Sequence, residues 1–175
     1  MKLVTVQAAA IKSTFEVLKD ILNDVNIYFK PSGMYIVTLD TARTSLIDMH
    51  LPSENFEEYE CEEEIDCGVN MTNMHKLLKT ITVNDILIMS IRSKEHMNIE
   101  IHSEQKKTST KFELKLLDIN ENQIEVPEMH MMVNTPIPSI DFQRICRDMS
   151  NIGDELEIHR GGNILRLVCK GDFAN

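Results

Sequence analysis

Membrane-spanning segments, paired cysteines and catalytic motifs are what this sequence most clearly lacks. No apolar run approaches the ~20 residues that a helix needs to cross a bilayer. The four cysteines form no Cys-x-x-Cys pair and no zinc-like Cys/His spacing, so we expect small buried hydrophobic residues of an intracellular protein. A phosphate-cradling glycine loop, a nucleophile–base constellation and a metal-ligand motif are also missing. We therefore expect no cofactor, no metal and no enzymatic activity.

Positive charge is scarce. The chain has 18 Lys and Arg against 28 Asp and Glu, which gives a formal net charge of -10. A protein that binds nucleic acid usually carries a basic surface, because its contacts are made to phosphates. A net charge does not show where the charges lie, so the distribution of the 18 basic residues decides whether nucleic acid remains a candidate partner.

The remaining composition is that of a folded protein. Apolar residues make up 42% of the chain and charged residues 26%, an ordinary balance for a globular domain. A length of 175 residues leaves room for one complete domain and part of another.

The first part of the chain alternates between strand and helix patterns. Residues 2–7 alternate as a strand does, and residues 9–22 then place Ile11, Phe15, Leu18 and Leu22 on one helical face. Further strand patterns and one short helix, at 72–80, follow. The strand patterns lie at 25–30, 34–40, 44–51, 65–70, 85–92, 96–102 and 110–117. The sequence predicts an α+β domain over residues 1–117.

A connector and a second copy of the opening unit follow. Residues 118–132 break the strand period, and Pro127 removes a backbone donor, so we expect an extended connector. From residue 133 an amphipathic helix again leads into two strands joined by a glycine-containing turn, as at residues 9–40. The first copy continues for many more strands, so we expect residues 133–175 to be the incomplete start of a second domain.

Five segments taken together, in order and spacing, resemble the proliferating cell nuclear antigen family. They are VLKDILNDVNIYF, SLIDMHLPSENFEEYECEEEI, GVNMTNMHKLLK, FELKLLDINENQIEVPE and FQRICRDMSNIGD. The resemblance implies a DNA sliding clamp, truncated here within its second domain. In that family three subunits of two similar domains form a ring, with short helices lining an inner concave face and antiparallel sheets outside.

The resemblance also implies which basic residues face duplex DNA. They occur in pairs at helical spacing, so that the members of each pair share a face. The pairs are Lys12 and Lys19, Lys76 and Lys79, and Arg144 and Arg147. Local ion pairing on solvated helix faces is the alternative, since Glu16 follows Lys12 by one turn and Asp141 precedes Arg144.

The acidic residues are expected elsewhere. A glutamate run at residues 57–64 is expected to form solvated loops on the outer surface, where it would repel DNA. A hydrolase that uses this run with histidines such as His50 or His75 is a further, disfavoured alternative, because nothing in the spacing makes the carboxylates converge.

A docking groove for short peptides of partner proteins is the second site that the resemblance implies. Its matching positions are Leu39, Arg43, Thr44, Leu46, Gln123, Ile124, Val126 and Pro127. Ordinary core packing is the alternative for Leu39 and Leu46. The chain departs from the family at Arg43, Thr44 and Glu125, so partner preference is expected to differ.

The expected role is that of a homotrimeric processivity factor. Its implied partners are double-stranded DNA, bound without regard to sequence, DNA polymerase, the clamp loader and other proteins with clamp-binding peptides, and no membrane. The implied location is the nucleus or a viral replication site. The alternative is a naturally short, non-ring clamp paralogue that acts as an interaction or regulatory module for complete clamps or their partners.

Overall fold

The computed structural model describes residues 1–120, 124, 126, 134–162 and 164–174. The chain divides into two compact units, Met1–Pro127 and Glu128–Asn175, and each is described by itself. The predicted boundaries at 117 and 132 stay a prediction. In the described part of the chain, no helix has the length and apolar character to span a membrane.

The first unit contains nine strands, two α-helices and a short 3-10 helix (Ser53–Asn55) among its described residues. In chain order they are β1 (Lys2–Thr5), α1 (Ala8–Ile21), β2 (Asp24–Lys30), β3 (Gly33–Leu39), β4 (Leu46–Pro52), β5 (Glu58–Glu60), β6 (Ile65–Asn70), α2 (Met71–Leu78), β7 (Ile86–Ile91), β8 (His96–Ser103) and β9 (Thr108–Lys115). They form a five-stranded sheet in the order β5-β1-β7-β8-β9 and a four-stranded sheet in the order β4-β3-β2-β6. Every pairing is antiparallel, so the α+β prediction is confirmed.

One hydrophobic core joins both helices to both sheets. The predicted helical face of α1 is buried, with Phe15 fully enclosed and Ile11 and Leu18 beside it. The buried face of α2 consists of Met71, Met74 and Leu78. The strands β7 and β8 contribute alternate residues to this core, which is the burial that a two-residue period predicts, whereas β2 is buried at five consecutive positions. The exposed sides of α1 and α2 are thereby turned away from the core.

Tight turns fix the register of the four-stranded sheet. Gly33 begins β3 with φ of 145°, a backbone conformation that favours glycine, and a Cβ there would overlap the carbonyl oxygen of Leu51. The sequence predicts this glycine turn between β2 and β3, and the pairing Lys30↔Gly33 confirms it.

The glutamate run forms more regular structure than expected. Residues 57–64 were expected to lie in loops, but Glu58–Glu60 is the edge strand β5, which pairs with β1. The pattern was missed because a three-residue edge strand with outward glutamates carries almost no hydrophobic alternation. Edge charges of this kind also oppose pairing with further strands.

The second unit contains α3 (Ser139–Met149) and the antiparallel hairpin of β10 (Leu156–Gly161) and β11 (Ile164–Cys169). This order repeats α1, β2 and β3 of the first unit, as the internal similarity predicted. Of the four cysteines, all with free thiols, Cys67 and Cys169 are buried, whereas Cys61 and Cys146 are half-buried. Burial raises the pKa of the Cys67 thiol to about 12, so this residue behaves as a small hydrophobe.

Candidate nucleic-acid interface and partner groove

Helix α2 carries the clearest basic surface. Its buried residues Met71, Met74 and Leu78 face the core, and Lys76 lies on the opposite, exposed side. Lys79 is also exposed and caps the helix at its C-terminal end. No acidic residue lies within Met71–Leu78, so the positive charge of this helix is not neutralised locally.

Helix α1 packs against α2, but its lysines are partly engaged. The Lys12 ammonium donates a hydrogen bond to the carbonyl oxygen of Ile81 at 2.9 Å, in the loop that follows α2. Lys19 forms an ion pair with its neighbour Asp20. Exposed ion pairs of this kind contribute little to stability, and each ammonium keeps further donors for another acceptor. The first unit therefore has two adjacent helices that carry the predicted lysines, with Lys12 and Lys19 on α1 and Lys76 and Lys79 on α2.

In the second unit, α3 exposes Arg144 and Arg147. The Arg144 Nη2 lies 3.3 Å from the Asp141 Oδ1, one turn earlier on the helix, as the ion-pairing alternative predicted. Among the ion pairs of the described residues, none involves Arg147. The assignment of these six basic residues to a DNA-facing surface stays a prediction.

A cavity of about 550 Å³ in the first unit brings together three predicted groove residues, Leu39, Arg43 and Ile124. Seven other residues line the same cavity: Leu22, Asn23, Asp24, Val25, Thr38, Asp40 and Thr41. Of the apolar members, Leu22 directly follows α1, Val25 lies at the start of β2 and Leu39 ends β3, and Ile124 is the fourth. The cavity therefore combines an apolar floor with the carboxylates of Asp24 and Asp40 and the guanidinium of Arg43.

The other predicted groove residues have different positions. Thr44 and Leu46 do not line this cavity, although Leu46 pairs with Leu39 across β4 and β3. Leu39 and Leu46 are 37% and 36% exposed, which is more than core packing would leave. Val126 is likewise 36% exposed. Gln123 and Pro127 lie outside the described residues.

Asp40 organises the loop beside the cavity, a role that sequence reasoning missed. Its carboxylate accepts hydrogen bonds from the Thr44 N–H at 2.7 Å, the Ser45 N–H at 3.0 Å and the Thr44 hydroxyl at 3.0 Å. These bonds, the Ser45 amide first, lower the pKa of Asp40. The sequence does contain a pattern that indicates this role. Asp40 ends a predicted strand and precedes Thr44 by four residues, which is typical of a turn capped by a side chain.

The acidic side of the first unit is only partly neutralised. Lys2 pairs with Glu58, and Lys30 pairs with Glu64 at 3.0 Å, whereas Glu62 and Glu63 are exposed. Among the described residues, no group of three or more His, Cys, Asp and Glu side chains is arranged to hold a metal ion. His50 instead stacks on the ring of Tyr35.

Comparisons with known proteins cover the whole chain. The family profile "Proliferating cell nuclear antigen, N-terminal domain" matches residues 1–124, and "Proliferating cell nuclear antigen, C-terminal domain" matches residues 124–175. The "Probable DNA polymerase sliding clamp 1" of Paramecium bursaria Chlorella virus 1 is 41% identical over 177 aligned residues, which cover 98% of this chain and 68% of that protein. "Proliferating cell nuclear antigen" of Chaetomium thermophilum is 28% identical over 170 aligned residues, which cover 97% of this chain and 66% of that protein. The chain belongs to the proliferating cell nuclear antigen family.

Proposed function

We propose that this chain acts as a DNA sliding clamp, a processivity factor that encircles duplex DNA and tethers DNA polymerase to its template. Membership of the family and the name of the viral relative support this role. The clamp is a scaffold and not an enzyme. Its contribution to replication is topological, because a ring around DNA keeps the polymerase near the primer end without holding any particular sequence.

The observation that carries this function is the separation of charge in the first unit. The exposed Lys76 and Lys79 lie on α2, which has no acid of its own, and the half-buried Lys12 and Lys19 flank the buried face of α1. The glutamates concentrate instead on the edge strand β5 and the loop that follows it. Phosphate contacts from the helices would be sequence-blind and salt-sensitive, while the acidic edge would repel a duplex that approached from outside.

The DNA-facing residues in this proposal are Lys12, Lys19, Lys76, Lys79, Arg144 and Arg147. Residues 1–117 form the first clamp domain, 118–132 the connector, and 133–175 the start of the second domain. The proposed ring is a homotrimer, as the resemblance to the family implies, in which the helices of three subunits surround the DNA. It works in the nucleus or at a viral replication site.

The cavity beside Leu39 and Ile124 is the proposed groove for partner peptides. Its occupants are short segments of DNA polymerase, of the clamp loader and of other replication and repair proteins. The exposed Leu39, Leu46 and Val126 would bury apolar side chains of such a peptide. Arg43 and the carboxylates of Asp24 and Asp40 would select the charged residues that flank the apolar ones.

Retention on end-blocked DNA tests the proposal. The complete protein is allowed to thread onto a linear duplex that carries biotin at both ends, and streptavidin is then added. Rings that encircle the duplex stay on it through a high-salt wash, and they leave an otherwise identical duplex with open ends. Equal loss from both duplexes would show that binding is electrostatic only and would contradict encirclement.

Charge variants connect this result to the helices. The double substitution Lys76→Ala and Lys79→Ala is expected to slow threading at moderate salt without changing retention after blocking, because topology holds a threaded ring. The matched control is Lys94→Ala with Lys106→Ala, two exposed lysines in the turns that flank β8. The control should thread as the parent does.

A further inference from the structure

The outward face of β3 and β4 carries a continuous strip of three cross-strand pairs. In register they are Leu39↔Leu46, Val37↔Asp48 and Tyr35↔His50. The alternate residues of β3, Met34 and Ile36, are fully buried in the core, so the strip residues point away from it. The strip begins at Leu39, which lines the proposed partner groove, and reaches Tyr35 four residues, or roughly 13 Å, further along the strand.

A stacked ring pair ends the strip. The Tyr35 and His50 ring centroids lie 4.0 Å apart with 10° between the planes. Tyr35 is held from its other sides as well, since its hydroxyl donates to the Ser32 Oγ at 2.9 Å and the Lys30 ammonium lies 5.8 Å from its ring centroid. Lys30 is itself paired with Glu64. His50 is exposed, so the face of its imidazole turned away from Tyr35 is accessible.

Asp48 supplies a charge beside this pair. It lies two residues from His50 on the same side of β4 and is exposed. Within the part of the chain that the structure describes, no ion pair and no side-chain hydrogen bond involves the Asp48 carboxylate. The nearby lysine is already committed to Glu64, so the surface next to His50 offers an accessible carboxylate and an accessible ring face.

A planar cation satisfies both features at once. An arginine guanidinium can stack on a ring while its edge donates hydrogen bonds to a carboxylate, which an ammonium cannot do with the same geometry. A neutral aromatic side chain on His50 would use the ring but would crowd the Asp48 carboxylate without pairing it. The arrangement therefore favours arginine over the other side chains that stack.

We propose that this strip extends the partner groove and that His50 and Asp48 take an arginine of the bound peptide, four residues from the part that fills the cavity. The inference rests on the proposed function, because the cavity must first hold a peptide of a partner protein. It adds a selectivity for partners whose clamp-binding segment carries a flanking arginine.

Tyr35 and His50 could otherwise serve only to stabilise the sheet as a cross-strand pair. Under that reading, His50→Ala lowers stability and leaves the choice between peptides unchanged. The substitution Asp48→Asn separates the two roles, because it removes the charge of an exposed residue that has no partner among the described residues and leaves the ring stack intact. It should therefore alter binding without altering the fold.

Synthetic peptides provide the test. One probe carries only an apolar segment for the cavity. Four further peptides add a four-residue extension to this segment. In one pair the extension precedes the segment, and in the other pair it follows the segment. Within each pair, one extension ends in arginine and the other in citrulline, the neutral planar analogue of arginine. Fluorescence anisotropy with the complete protein gives each Kd. We expect one arginine peptide to bind roughly fivefold to twentyfold more tightly than its citrulline partner.

The variants identify the side chains responsible. Asp48→Asn should abolish the preference for arginine over citrulline, and His50→Ala should reduce it, while Glu104→Gln, an exposed acid in the turn between β8 and β9, should leave it unchanged. Equal affinities of the arginine and citrulline peptides, with the short probe still bound, would overturn this inference alone. Failure of every probe to bind would overturn the proposed groove and this extension together.

Discussion

Lys12 of α1 and Ile81 of the loop after α2 are joined by a hydrogen bond of 2.9 Å from the ammonium to the carbonyl oxygen. This bond connects α1 to the loop that follows α2, next to the helix that carries Lys76. Lys12 therefore has a structural role that Lys76, exposed on the far side of α2, does not share. The two lysines can be separated experimentally although their charge is the same.

Lys12→Ala should destabilise the first unit by about 1.5 kcal/mol, because a hydrogen bond from a charged donor is lost. Lys76→Ala should change the free energy of unfolding by no more than about 0.5 kcal/mol, as is usual for a solvated surface residue. Urea unfolding followed by tyrosine fluorescence measures both. The signal reports this unit, because all three tyrosines lie in it, at Tyr28, Tyr35 and Tyr59. Equal stability of the two variants would contradict a structural role for Lys12.

Asn70→Ala should shorten or fray α2. The Asn70 side chain accepts a hydrogen bond from the Asn73 N–H at 2.9 Å and donates one to Asp24, so it caps the helix and ties it to β2. Loss of such a cap costs about 1 kcal/mol. Gln7→Ala is the matched control, since Gln7 precedes α1 and makes no side-chain cap bond. Amide hydrogen exchange of residues 73–75 should quicken in the first variant and stay unchanged in the second.

Gly68→Ala should loosen the segment that follows β9. An added Cβ at Gly68 would overlap the carbonyl oxygen of Leu117 and come within 2.8 Å of the Ile119 Cγ1. Because Leu117 donates its N–H to the Gly68 carbonyl at 2.8 Å, this segment must move. We expect a loss of about 1–3 kcal/mol, as for other overpacked sites.

Gly161→Ala is the control for Gly68→Ala. A Cβ at Gly161 would meet no atom within 4 Å, so its stability should stay close to that of the parent. Denaturant midpoints compare the two. A midpoint for Gly68→Ala at the parental value would show that residues 117–119 are not held against β6.

Asp40→Asn should loosen the loop beside the partner groove at neutral pH. Folding lowers the pKa of Asp40 from its ordinary value of 3.8, so the ionised carboxylate stabilises the fold above that pH. The contribution disappears as the pH falls through the lower folded-state pKa. The variant should therefore show faster exchange of the Thr44 and Ser45 amides at pH 7, and the difference from the parent should vanish in acid. A difference that persists in acid would assign the effect to something other than the carboxylate charge.

Much of the fold could be predicted because burial imposes a period on the sequence. The helical spacing of Ile11, Phe15 and Leu18 is enough to locate α1, and all three side chains are buried. The strand β5 could not be predicted in this way, because its two glutamates are exposed at the edge of the sheet and do not pack in the core. The hydrophobic period within a strand does not show which other strands it pairs with. The position of β1 between β5 and β7 could therefore not be predicted from the sequence.

The residues of the candidate sites could also be predicted only in part. The resemblance indicated Leu39 and Ile124, which the structure brings together at one cavity. Asp24 and Asp40 escaped notice because they reach that cavity from the start of one strand and the end of the next, which depends on register. The Tyr35 and His50 stack is also a consequence of register, since these residues are 15 positions apart and meet only through the pairing of β3 with β4.

The length of DNA that a polymerase makes in one binding event tests the central claim most directly. A replicative polymerase that carries a clamp-binding peptide extends a primer on an open-ended linear template, with excess unlabelled template present to capture enzyme that dissociates. Addition of the complete protein should lengthen the products of single binding events, and Ile124→Ala should weaken the effect. Product lengths that are the same with and without the protein would contradict the proposal that this chain is a sliding clamp.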